Sequence, residues 1–463
     1  MISFLVIFLL TVVQLLAGFG LLILFRIQLK PPLFLSLAVM LGIAVFSVVP
    51  FILQLLFIPI TSITVFTSLL LVTLALNIKY KTGLQQTKEM FSGTHFRIRI
   101  YEAPFLVFIG IIIFVSAWRC FYFPPTPVDV TTGAEAIAEY TVREHTMLNS
   151  VFQLPQNGNS LKPPFITCLQ VIYKFAGFPF GQIWLSSIVI CFSIFLYHAV
   201  SASVHRIIAC LLLIFLLAVP EMYAYTFMIL YDYSNAVFFF LVVFFCIRYF
   251  KEQHLNELAF AGLLMGFAVY SRPETLLLCC GMLPLILVNA VKYKVGIKKM
   301  FAAASVFLLP SVLCYTVAVY VYIHYYLPVG YSIAAQVNKN IFDIKAALAI
   351  FAEASTSLIF SSQGIIYYGY FVFIFLAITV AQLVAKRQLN AAAKNYLYCI
   401  LLVYLVYPFL CHVLPGATVD YTVKRAFLKL FPLMVLFIAN ISLVTGFSKW
   451  ITRWELGENN EQL

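Results

Sequence analysis

Five short stretches of the chain hold charged side chains where chemistry is possible. Asp232 stands in Leu230-Tyr231-Asp232-Tyr233-Ser234, with apolar runs on both sides. A charge so isolated at a bilayer edge costs roughly a few kcal/mol unless it is paired, so a partner is expected, either Arg272 or a substrate hydroxyl. Arg272 and Glu274 lie in Tyr270-Ser271-Arg272-Pro273-Glu274, where an apolar run ends. An Arg fork there can clamp a phosphate; a salt bridge to Glu274 or Asp232 is the plainer role. Asp129 follows the Pro-rich turn at residues 124–127, and a carboxylate fixed in such a turn can deprotonate a hydroxyl or amine or simply cap the next helix. Lys162, in Lys162-Pro163-Pro164, offers an ammonium suited to a lipid phosphate at headgroup depth, or an ordinary snorkelling lysine. Lys424 and Arg425 open the last apolar run and offer a second phosphate contact, or a snorkelling pair.

Other chemistries find less support. His145, His324 and His412 share no ligand spacing, and no HExxH, Walker-type or Gly-rich phosphate loop occurs, so a soluble nucleotide site is not indicated. The ten cysteines are scattered through apolar runs without a CxxC pair. They read as small packing residues, and neither a disulfide framework nor a zinc site is implied.

The elements that position these residues must live in lipid. Of 463 residues, 63% are hydrophobic and only 10% charged, with a mean hydropathy of +1.01. A soluble domain carries about 25% charged residues to cover its surface, whereas lipid solvates an apolar exterior directly. A crossing takes about 20 apolar residues, and the apolar runs parse into thirteen spans: 2–25, 33–56, 58–78, 101–123, 181–200, 207–222, 234–250, 258–271, 275–291, 300–324, 364–384, 395–414 and 428–446. The first is long enough to be a retained helix, and no signal-peptide cleavage pattern interrupts it. The expected fold is all-α and polytopic.

Charge gives the orientation independently, because cytoplasmic loops retain Lys and Arg. With the N-terminus outside, 19 of the 29 basic residues and seven of the 17 acids fall on the inner side, so the whole net charge of +12 sits there. The basic balance is a topology signal, and no nucleic-acid partner is needed to explain it. Along the chain this gives three leading spans (1–78), a basic cytoplasmic linker (79–100), a long transmembrane region (101–446) and a tail (447–463). Two outer segments, 124–180 and 325–363, are richer in polar residues than their neighbours, and function concentrates in such segments. In the first, Thr131 and Thr132 are placed to cap a helix over about 134–150 with its acids early. A second short helix is expected over 164–176, started by Pro164 and closed by Gly177. At about 20 Å it is too short to cross, so it should lie along the interface.

Taken in order, four motifs resemble the GT-C superfamily of polyprenyl-phosphate-sugar-dependent glycosyltransferases, particularly the branch of protein O-mannosyltransferases and lipid A aminoarabinose transferases. They are Asp129 opening the first large outer loop; Lys162-Pro163-Pro164-Phe165 leading to Tyr173-Lys174-Phe175-Ala176-Gly177; Asp232 after Pro220-Glu221; and Gly262 to Ala268 running into Ser271-Arg272-Pro273-Glu274. A fifth, Lys424-Arg425 before Phe431-Pro432-Leu433, looks like the start of a late helix in that family. The resemblance covers about 101–440 and makes 1–78 a three-span addition. It implies Asp129 as general base, with Lys162, Arg272 and Arg425 holding the leaving lipid phosphate. Asp232, Glu135 and Glu274 would contact the acceptor or sugar, and no metal or other cofactor is called for. Val130-Thr131-Thr132-Gly133 separates Asp129 from the next acid, Glu135, where the family often has a second acid or a Tyr close by.

The implied partners are a polyprenyl-phosphate-linked sugar, membrane lipid, and a glycan, lipid or protein acceptor, with the site on the extracytoplasmic side of a membrane, the cell inner membrane being expected. A transporter or lipid flippase would instead need midplane charges and broken helices related by repeats. A polysaccharide polymerase or ligase, with a large late outer loop such as 325–363, is the other alternative.

Overall fold

The computed structural model describes residues 2–78, 98–153, 162–294, 296–327, 343–414 and 416–456. Most of the linker (79–97), part of the late outer segment (328–342) and the end of the tail (457–463) lie outside the described residues. Within them the chain is helical and contains no strand. Eight helices are long and apolar enough to cross a membrane, or ten if each of two bent pairs is one span, consistent with a multi-pass membrane protein. Clustering of the backbone yields two compact units, one from the described residues within Met1–His95, Ile113–Ile194 and Tyr225–Ile333, the other from those within Phe96–Ile112, Phe195–Ala224 and Ala334–Leu463.

Helices of the first unit include α1 (Ile2–Leu24), α2 (Pro31–Leu55), α3 (Ser62–Leu76) and the second half of α4 (Ala103–Tyr122), then α5 (Glu135–Glu144), α6 (Phe165–Phe175) and the first part of α7 (Ile183–Ser201). Helix α8 (Arg206–Leu217) belongs to the second unit. The first resumes with α9 (Tyr231–Glu252), α10 (Leu255–Ser271), α11 (Thr275–Lys292) and α12 (Ile297–Tyr315), which continues as a wider helix over Thr316–Tyr326. In lipid, close backbone approach through small residues does much of the work that the hydrophobic effect does in water. A Cβ on Gly42 would fall 1.9 Å from the Gln14 carbonyl of α1, and one on Gly262 would fall 2.4 Å from the Val306 carbonyl of α12. The glycines of the 262–268 motif therefore let α10 and α12 touch along their backbones.

The second unit holds α13 (Ile344–Leu358), α14 (Ser362–Tyr368), α15 (Phe371–Lys386), α16 (Ala391–Val413), α17 (Leu430–Asn440) and α18 (Ser442–Glu455). Helices α13 and α14 form one bent pair, at 70°, with α13 inside what the sequence marks as an outer loop and α14 running from its end into the span expected at 364–384; the run Val419–Asn440 and α18 form the other, at 60°.

Against the thirteen expected spans, eight are long helices. Those at 58–78, 207–222, 258–271 and 364–384 are the shorter α3, α8, α10 and α15, and the span at 428–446 breaks after Asn440. The expected helix over 134–150 stops at Glu144, because His145 takes a left-handed conformation and the chain is then captured by α2. Gln54 accepts from the Met147 amide at 2.6 Å and the Thr146 hydroxyl at 3.1 Å. The helix expected over 164–176 is found at Phe165–Phe175.

Candidate functional site

Pro273 decides the local geometry at the end of α10. The residue before a proline is driven out of the helical region, and Arg272 is extended (φ −145°, ψ 112°). Glu274 then precedes α11, and Asp232 sits in the first turn of α9, where a helix dipole favours a carboxylate. Arg272 Nη1 donates to Asp232, and the guanidinium also forms an ion pair with Glu274 on its Nε side. Asp232 is only 3% exposed, while Arg272 and Glu274 are 18% and 17% exposed. One cation between two carboxylates leaves this group with a net charge of −1.

Directly below lies a buried polar layer. Asn235 donates through Nδ2 to the Ala268 carbonyl (2.7 Å), the Ser271 hydroxyl (3.0 Å) and the Thr275 hydroxyl (2.9 Å). Asn235 and Thr275 are fully buried, and Ser271 nearly so. Satisfied buried networks of this kind fix the relative placement of the elements that share them, here the ends of α9, α10 and α11.

Lys162 joins the same neighbourhood from the other side. Its Nζ lies 5.4 Å from the centre of the Tyr231 ring, and Tyr231 immediately precedes Asp232. The chain after Lys162 is anchored by Phe165, whose ring packs edge-on against Trp184, Phe238 and Tyr270 at about 6 Å. The ammonium is thus set at the start of a helix that packs on α7, α9 and α10.

Asp129 is half-buried and helical (φ −53°, ψ −28°), and its side chain makes no capping bond to the wide turn Val130–Ala134 that follows. The capping expected of Thr131 and Thr132 is not found either. Both hydroxyls bond back to the Val128 carbonyl, at 3.3 and 2.7 Å, as Thr does inside a helical turn, and Gly133 then breaks the helical path (φ −118°, ψ −107°). Val130 is fully buried, and the Ala134 carbonyl accepts from the Thr167 hydroxyl at 3.4 Å. Asp129 therefore rides on the segment that packs against the first turn of α6, the helix that Lys162 precedes.

Glu135 is engaged elsewhere. It pairs with Lys174 at 2.6 Å and accepts from Gln170 Nε2 at 2.5 Å, while Lys174 also meets Glu139 at 3.0 Å and the Pro179 carbonyl at 2.6 Å. This brace ties α5 to α6, so the expected contact of Glu135 with acceptor or sugar competes with an ion pair that is already formed. Arg425 belongs to the second unit, its guanidinium 5.7 Å from the Tyr421 ring centre. Beside it Lys424 pairs with Glu221 at 3.3 Å and stands 4.3 Å from the Tyr367 ring centre.

Of the sequence-derived candidates, then, Lys162, Asp232, Arg272 and Glu274 gather around Tyr231. Sequence reasoning missed Asn235, whose only signal was a lone amide in a run of Phe and Val, and gave Lys174 no role of its own. Comparison with protein-family models, curated proteins and solved structures gives no match for this chain.

Proposed function

We propose that the chain is an integral membrane glycosyltransferase, with thirteen crossings and an outside N-terminus, that moves a sugar from a polyprenyl-phosphate donor to an extracytoplasmic acceptor. The observation that carries this reading is the gathering of Lys162 with the Asp232–Arg272–Glu274 group around Tyr231, at helix ends. A cation beside fixed carboxylates suits a ligand with a phosphate at one end and hydroxyls at the other. Asp129 would take the proton of the acceptor hydroxyl or amine while that atom attacks the anomeric carbon. The anomeric C–O bond breaks, its electron pair leaves with the lipid phosphate, and the configuration inverts. The phosphate needs no general acid because it is a weak base.

The geometry alters the division of labour that the resemblance implies. One of the five Arg272 donors already serves Asp232 and the guanidinium is also ion-paired with Glu274, and a phosphate approaching a group of net charge −1 is repelled. Holding the phosphate falls mainly to Lys162, with Arg272 serving to orient Asp232 and Glu274 toward sugar or acceptor hydroxyls. Arg425 is kept as a further phosphate contact on the strength of the motif alone.

The test uses the purified full chain with a defined polyprenyl-phosphate sugar and mass spectrometry of lipid that copurifies. Asp129→Asn should lower turnover about a hundred-fold or more, the scale of general-base catalysis, with expression unchanged; retained turnover removes Asp129 from that role. Lys162→Met should raise KM for the donor more than it lowers kcat.

One observation favours transport instead. The α13–α14 pair is bent by 70°, and broken helices are a feature of transporters. Solute flux in proteoliposomes, with no lipid phosphate bound, would replace the transferase reading.

A further inference from the structure

Helix α18 follows the helical run Val419–Asn440, whose last part, Leu430–Asn440, is wholly apolar up to Asn440, and it departs from that run at 60°. If the run stands near the bilayer normal, α18 lies closer to the membrane plane than to the normal. The bend is held by side chains of the second unit. Ile441 is extended (φ −78°, ψ 147°), the fully buried Gln382 donates to the Ser442 hydroxyl and accepts from the Leu443 amide, both at 2.8 Å, and Asn390 donates to the Asn440 carbonyl.

Further along, one face of α18 is occupied by polar contacts. The His205 amide donates to the Ser448 hydroxyl at 2.6 Å, and Glu455 meets Arg99 and, at 3.0 Å, His205 Nε2. A cavity of about 300 Å³ lined by these residues marks this side. Another face is aromatic. Phe447, Trp450 and Trp454 fall at i, i+3 and i+7, one stripe of a helix. They are 54%, 61% and 73% exposed, and the first two rings stack at 5.6 Å. Lys449 and Arg453, both exposed, each precede a tryptophan and so stand about 100° round the helix from it.

We infer that α18 is an in-plane anchor whose Phe447–Trp450–Trp454 stripe enters the headgroup boundary of the membrane the chain spans, with Lys449 and Arg453 binding anionic lipid phosphates. Three observations select a bilayer over a protein partner. The helix turns by 60° out of an apolar run at a bend that Gln382 and Asn390 hold, so it does not continue that run through the hydrocarbon. Tryptophan and phenylalanine beside lysine and arginine are what interfacial helices carry. The one acid of the helix, Glu455, is paired with Arg99 and His205, so the charge that the stripe's flank presents to lipid is cationic and complements anionic lipid. This inference rests on the chain being a membrane protein and is independent of the transferase chemistry.

The test reconstitutes the full chain in nanodiscs of phosphatidylcholine, with and without phosphatidylglycerol, and compares tryptophan emission with that of Trp450→Phe and Trp454→Phe. The emission lost in each variant should be blue-shifted, quenched by lipids brominated near the glycerol end, and largely insensitive to aqueous acrylamide. Lys449→Gln with Arg453→Gln should remove the extra bromolipid quenching gained on adding phosphatidylglycerol. Quenching by acrylamide alone would put the stripe in water, and protection from both quenchers would put it under protein; either overturns the anchor. Indifference to phosphatidylglycerol in the unaltered chain would overturn the anionic-lipid part.

Discussion

Helices α9 and α10 form a hairpin with an arginine held by two carboxylates at each end. At the connecting end Arg248 meets Glu252 at 3.5 Å and Glu257 at 2.9 Å. Glu252 is one turn along the same helix and 43% exposed, so water shares its charge. At the open end Arg272 joins Asp232 from α9 to Glu274 from the start of α11, and neither acid is more than 17% exposed. Only this end adds Lys162 over Tyr231 and the Asn235 layer beneath. From Asp232 to Arg248 α9 rises about 24 Å at 1.5 Å per residue, so the two clusters stand at opposite ends of the hairpin. Equal charge inventories therefore serve different ends: one ties the two helices at a turn that water reaches, the other fixes three helix ends around a group of acids.

Removing each arginine is the strongest way to break this comparison. Arg272→Met would leave two buried carboxylates facing each other, at a cost of about 3–5 kcal/mol, the range for an orphaned buried charge. Arg248→Met leaves Glu257 buried but lets Glu252 turn to solvent, so the loss should be nearer 2 kcal/mol, the scale of one charged hydrogen bond. Thermal unfolding of both variants in the same detergent measures the difference. Equal losses would mean that the ends do not differ in the way their burial says.

Next in size is Asn235→Ala, which removes two N–H donors, shared among three acceptors, and a carbonyl acceptor from a layer with no counterpart at the Arg248 end. A loss of about 1–3 kcal/mol is expected from the unsatisfied acceptors left behind, together with reduced turnover as the ends of α9, α10 and α11 loosen. An Asn235→Ala chain that melts like the unaltered one would show that the triad stands without its floor.

The sequence made some of this legible and hid the rest for physical reasons. Asp232 had to have a partner because an unpaired charge in an apolar run is costly, and Arg272 was one of two candidates. That reasoning works because it needs only local composition. The bend after Asn440 was invisible because no Pro or Gly marks it; Gln382 and Asn390 impose it from elsewhere in the chain. Lys174 lies 35 residues from Glu139 and nothing in either neighbourhood names the other. Asn235 looked like a lone polar residue on a long apolar helix, since its bonds to α10 and α11 exist only once the three are packed. Helix limits set by Pro, Gly or a charge, as for α2 and α11, came within about two residues. Those set by capture, as at His145, did not.

The smallest expected effect lies in the α5–α6 brace, which resembles the Arg248 end in having one shielded carboxylate and one exposed one but adds to Lys174 a second cation, Arg143, 2.8 Å from Glu139. Lys174 is 6% exposed, Glu135 15% and Glu139 42%. The Lys174 ammonium donates to Glu139 and holds its carboxyl below the ordinary glutamate value, with partial burial opposing and Arg143 assisting. A depressed carboxylate stabilises the fold above its unfolded value and loses that contribution as pH falls through the folded one. Glu139→Gln should therefore cost a little stability at pH 6 and nothing at a pH below the ordinary glutamate range, so the two unfolding midpoints converge on acidification. Solvent screens a group this exposed, so the gap at pH 6 should be smaller than for any change at Arg248. A gap that widens as pH falls would mean that Glu139 is strained by its neighbours rather than held by Lys174, and the likeness to the Arg248 end would be lost.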